Sequence, residues 1–157
     1  MFYRNLHCLL LLLPLACAAK QKDGFRVEGE PTALQIHEVQ EAIDEWCSYG
    51  HCAWLGDGNS IFRMVETMPE SAMPGTIGYH ELSTDGESSR ISILKGFSSK
   101  EVPIRKTMLH ELGHHWGCKN RDESDSDEPS EPGFVMSLWT DEQPNHLTPE
   151  DVACATR

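Results

Sequence analysis

The sequence predicts a single α+β domain, and three observations carry that expectation. An amphipathic run, "TALQIHEVQEAIDEWCSYG", occupies residues 32–50. A block of short runs rich in Ile, Val, Phe and Tyr, broken by Gly, Pro, Asp and Ser, fills about 53–98. A second helical run, about 103–116, carries His110, Glu111 and His114. A length of 157 residues suits one domain.

The chain opens with "MFYRNLHCLLLLLPLACAAK", a short basic start, an apolar run and small residues. That order reads as a signal peptide over 1–17, too short in its apolar part to span a bilayer. Two readings of its end stand side by side. "LPLAC" resembles a bacterial lipobox, which would place a lipid on Cys17 and attach the protein to the cell envelope. "ACA" or "CAA" would serve ordinary cleavage and secretion. Residues 18–31 are polar, with Gly24, Gly29 and Pro31, and read as a tether. The domain itself is expected over 32–157.

In 32–50, Leu34, Val39, Ile43 and Trp46 suggest one apolar helical face, with Thr32 as N-cap and Gly50 beyond the end. "SIFRMVET", "TIGYHELS" and "RISILKGF" read as strands, and "GDGN" at 56–59 as a turn rather than a calcium loop. The second helix is expected from Pro103 to Trp116, with Gly117 as its stop. "KNRDESDSDEPSEPG" follows as a solvated acidic loop. "LTPEDVACATR" begins a C-terminal helix capped by Thr148, with Pro149 at its first position.

Six cysteines are present. Both leader readings remove Cys8 and leave Cys47, Cys52, Cys118 and Cys154, an even set that suggests two disulfides in an exported protein. The expected pairs are Cys47–Cys52 and Cys118–Cys154. The formal net charge is −12, and loss of a leader holding Arg4 and no acid takes it to −13. Such a charge argues against nucleic acid and anionic membrane surfaces as partners. A monomer is expected.

The chemistry concentrates at "LHELGHHWGCKN", residues 109–120. His110 and His114 stand one helical turn apart, so both rings leave the same face, with Cβ atoms about 5–6 Å apart. That suits two nitrogens on one Zn²⁺, with Glu111 beside them as the base that takes a proton from a zinc-activated water. His115 leaves a different face and reads as a surface residue or a support behind the ligands. His146 reads as structural.

The pattern His110-Glu111-x-x-His114-x-x-Gly117-x-x-Asn120, followed by Val135-Met136-Ser137, resembles the metzincin zinc metallopeptidases, and "LTPEDV" is similar to the start of the last helix in matrixin-like members. The resemblance implies a small mixed β-sheet with a backing helix, an active-site helix, a Met-turn and a C-terminal helix. It implies that His110 and His114 bind one catalytic Zn²⁺, that Glu111 is the general base, that Met136 is the Met-turn residue, and that the substrate is a peptide or protein. The sequence departs from the family at Asn120, where the third ligand is His or Asp. The third ligand is then Asn120 itself, or the nearby carboxylate of Asp122. If neither holds zinc well, the chain is a catalytically weak or inactive binding domain on the same fold. Leu138 stands where some members carry a Tyr.

Overall fold

Residues 24–84, 86–95, 104–120, 135–136 and 145–156 are described by a computed structural model. The leader, Cys17, Asp122, Ser137 and Leu138 lie outside these residues. A five-stranded sheet is built from β1 (Gly24–Glu28), β2 (Trp54–Leu55), β3 (Ser60–Val65), β4 (Gly78–Leu82) and β5 (Ser89–Leu94), in the order β2-β1-β3-β5-β4. Pairing is parallel except for β4, which runs antiparallel to β5 at one edge. Among the described residues three helices accompany it: α1 (Ala33–Ser48), α2 (Ile104–His115) and the short α3 (Pro149–Val152).

One sheet face is apolar and buried, and the other mixes polar and apolar residues, as period-two alternation allows. Phe25, Phe62, Met64, Ile91 and Ile93 are buried in one core that also contains the apolar residues of α1 and α2. On the opposite face Arg63 Nε donates to Ser92 Oγ at 2.9 Å, and Arg90 pairs with Glu81 at 3.2 Å.

Residues 24–28, expected in the tether, instead form β1 inside the sheet. Phe25 is fully buried there, and β1 pairs with β3 more than thirty residues away. Its five residues alternate Phe25 and Val27 with Arg26 and Glu28, so their polar average hides a half-buried strand. Leu34 is the second correction. It is 65% exposed, while Val39, Ala42, Ile43 and Trp46 form the buried face of α1. A step of five residues from Leu34 to Val39 lands about 140° out of phase on a helix of 3.6 residues per turn.

α1 begins with a capping box. Thr32 Oγ1 accepts from Gln35 N, and Gln35 Oε1 accepts from Thr32 N. Trp46 Nε1 donates across to the Leu109 carbonyl at 3.0 Å, and Glu38 of α1 accepts from Ile104 N at the start of α2. Glu45 accepts from Arg105 and from Leu147 N, and Arg105 also donates to the Asn145 carbonyl. α1 thus sets the position of α2 at several points along its length. The disulfides are Cys47–Cys52 and Cys118–Cys154; the second joins the chain just past α2 to the chain just past α3.

Candidate metal centre

α2 is buried along most of its length, and His110 and His114 lie part-buried, one turn apart, in a cleft of about 560 Å³. The opposite wall is Ile77 with Gly78, Tyr79 and His80 of β4. His110 Nε2 and His114 Nε2 are 3.2 Å apart. Each ring's other nitrogen meets a backbone carbonyl: His110 Nδ1 lies 2.7 Å from Val135 O and His114 Nδ1 2.9 Å from Cys118 O. A carbonyl can only accept, so each Nδ1 carries the proton and each Nε2 presents a lone pair. With both rings neutral, the two facing lone pairs cannot share a hydrogen bond. They can share a cation: nitrogens at about 2.0–2.1 Å from one tetrahedral zinc stand about 3.3–3.4 Å apart. The two nitrogens therefore stand at about the separation that one zinc would require.

Burial, with the neighbouring His114 ring adding to it, pulls His110 down to about 4, which keeps its imidazole neutral at physiological pH. Burial alone raises Glu111 to about 8. Glu111 is 5% exposed, with its carboxylate packed against Gly78 of β4. A Cβ at position 78 would stand 3.0 Å from Glu111 Cδ and closer still to Oε1 and Thr107 Cγ2. Gly78 therefore lets β4 approach the carboxylate.

The end of α2 is a Schellman turn. Gly117 has φ 94°, Gly117 N donates to His114 O at 3.0 Å, and Cys118 N donates to Gly113 O at 2.9 Å. That turn presents the Cys118 carbonyl to His114 and brings Asn120 into the cleft beside the two histidines. Of the two third-ligand candidates, Asn120 lines the site and Asp122 lies outside the described residues. Among the described residues no three His, Cys, Asp or Glu side chains converge as a metal cluster.

Behind the two histidines, Val135 and Met136 form a turn, both buried. Met136 packs so close to Gly113 that a Cβ there would collide with its sulfur. Asp151, fully buried at the start of α3, accepts from Val135 N at 2.8 Å, Thr148 N at 2.9 Å and Thr148 Oγ1 at 2.8 Å. The chain Asp151–Val135–His110 links the C-terminal helix to the first histidine.

His115 is not a surface residue. It is 1% exposed, with Nδ1 2.7 Å from Ser89 Oγ and its ring against Phe25 and Trp116. Sequence reasoning missed Gly78, His80 and Asp151. His80 lines the cleft with its ring centroid 6.0 Å from that of His114. Alternation shows that positions 78 and 80 share a strand face; only the packing of β4 against α2 shows that this face looks at the histidines. For Asp151 the sequence signal was a first-turn acid after Thr148, which reads equally well as a cap.

A solved archaemetzincin from Methanopyrus kandleri matches this chain with a TM-score of 0.55 and 12% identity, over 90% of this chain and 96% of that one. No family model and no curated protein matches. At that identity the likeness is one of fold: this chain has the architecture of a protein called an archaemetzincin, with a mixed five-stranded sheet and few helices.

Proposed function

We propose that this chain is an exported zinc-dependent metallopeptidase that hydrolyses peptide bonds. The observation that carries the reading is the pair of Nε2 lone pairs 3.2 Å apart, locked from behind by two carbonyls, beside a buried carboxylate. His110 and His114 would hold the zinc, with the Asn120 carboxamide as the third donor. When bound, zinc acts as a Lewis acid that acidifies water and polarises a carbonyl. The archaemetzincin fold and the two disulfides support a peptidase working outside the cytoplasm.

The chain's own residues supply the rest. β4 is an edge strand: among the described residues its outer side has no partner strand, and it walls the cleft. An extended peptide pairing with that edge lies across Glu111. Glu111 takes a proton from the attacking water as oxygen bonds to the carbonyl carbon. It then delivers that proton to the amide nitrogen as the C–N bond breaks. Burial alone raises Glu111 to about 8, and a bound cation would favour the ionised form that takes the proton.

One observation favours a second reading. A carboxamide oxygen is neutral, and zinc usually takes Cys, His or carboxylate. A weakly metallated binding domain on this fold would keep Asn120 and lose turnover. Metal analysis of purified protein, with peptide turnover before and after chelation, separates the two. Glu111→Gln should retain zinc and lose about 10²–10⁴-fold in kcat. Equal turnover by the variant would remove Glu111 from the mechanism, and zinc-free, inactive wild-type protein would favour the binding domain.

A further inference from the structure

A second cavity, of about 400 Å³, adjoins the cleft and shares Met73, Gly75 and Thr76 with it. It lies between the segment 66–76, which joins β3 to β4, and Leu94 at the end of β5. Ile93 faces the core, so Leu94 faces the opposite side of the sheet. The cavity's apolar wall is Met68, Pro69, Ala72, Met73, Pro74 and Leu94. Its one acid, Glu66, is paired with Lys95 at 3.0 Å. The segment is held in shape. Ala72 N donates to Pro69 O, Thr76 N to Met73 O and Leu94 N to Ile77 O, and Tyr79 Oη donates to Ser71 Oγ at 3.0 Å. Met73 is nevertheless 70% exposed at the junction of the two cavities. Methionine is a flexible, polarisable lining that accommodates varied apolar shapes.

We propose that this cavity is a substrate subsite for a bulky apolar side chain two or three residues C-terminal to the bond that is cut; the inference rests on the peptidase reading above. Gly78 touches Glu111 and so marks the reacting bond along β4. Thr76 and Gly75 come two and three residues before it, in the turn closed by Thr76 N donating to Met73 O that leads into β4. A peptide pairing antiparallel to β4, the stronger mode of pairing, runs its C-terminal half past Thr76 and Gly75. Its side chains alternate between the two faces of the sheet. Those on one side enter the cleft over the histidines, and one on the other side meets the cavity beside Leu94.

The test is kcat/KM on quenched fluorescent peptides that carry Leu, Phe, Ala or Asp at the second and third positions after the cut. Wild-type enzyme should favour Leu or Phe over Ala by about 10-fold or more at one of these positions. Met73→Asp should collapse that ratio and Met73→Leu should preserve it. A wild-type ratio near one, a preference confined to the N-terminal side of the cut, or a proportional loss on every peptide in Met73→Asp would each overturn the assignment. Fluorescence anisotropy with zinc-loaded Glu111→Gln reads the same apolar preference as binding. An inactive wild-type protein that still binds Leu peptides over Ala peptides would therefore sink the peptidase reading and leave the subsite standing. Loss of the preference there as well would sink the subsite.

Discussion

Gly78→Ala probes how closely β4 must approach the Glu111 carboxylate. The added methyl would stand 3.0 Å from Glu111 Cδ and closer to Oε1 and Thr107 Cγ2. Carbon atoms pack best at about 3.5–4.0 Å, so something must yield by roughly 1 Å. Thr107 is a β-branched residue on a buried helix and has little freedom. The methyl meets Thr107 Cγ2 as closely as Glu111 Oε1, so β4 must back away from α2 while the Glu111 carboxylate, at the end of a longer side chain, swings aside. A misplacement of about 1 Å at a reacting group can cost roughly 10²-fold in rate. The expected result is a loss of about 10²-fold in kcat with zinc content unchanged, because neither His110 nor His114 is touched. Steady-state kinetics with metal analysis and a thermal melt checks it. Full kcat in a zinc-loaded, folded Gly78→Ala protein would refute the idea that β4 positions Glu111. Loss of zinc would show that the strand supports the ligands instead.

Three further outcomes are expected. Asn120→His should tighten zinc in a competition titration while Asp122→Ala leaves it unchanged; release of zinc by Asp122→Ala would transfer the third-ligand role to the carboxylate. Asp151→Ala removes the acceptor for Val135 N and so frees the carbonyl that holds His110, which should weaken zinc about 10–100-fold; unchanged affinity would mean that the Val135 turn holds itself. Zinc loading at pH 7 should release about one proton, since Glu111, raised to about 8 by burial, is protonated without metal and a nearby cation favours its ionised form. His110, lowered to about 4, has no proton to lose there. Zinc affinity should therefore rise with pH up to about 8, and titration calorimetry in two buffers of different ionisation heat would count no proton if the assignment is wrong. For the metal-free protein the sign is that of a raised folded-state pKa: the Glu111 contribution to stability is present below the unfolded value of 4.5 and is lost as pH rises through 8.

Much of this protein was determined by local sequence. Thr32 and Gln35 form a capping box, and Thr148 and Asp151 another, because those contacts span three residues. His110 and His114 share a helix face because 3.6 residues make a turn, and Gly117 ends α2 because a left-handed residue must follow. The strands β3, β4 and β5 fall within runs rich in β-forming residues. What tertiary structure decided depends on contacts between distant segments. β1 is a strand because Phe25 and Val27 find an apolar sheet face, although the average polarity around them reads as tether. His115 is buried because β5 brings Ser89 to it from 26 residues away. Gly78 matters because an edge strand is laid against Glu111, and Asp151 matters because α3 returns to the Val135 turn. No periodicity along the chain encodes these meetings. They follow from how one apolar sheet face and two helices close on a shared core, and that closure places the carboxylate, the two imidazoles and the edge strand around one cleft.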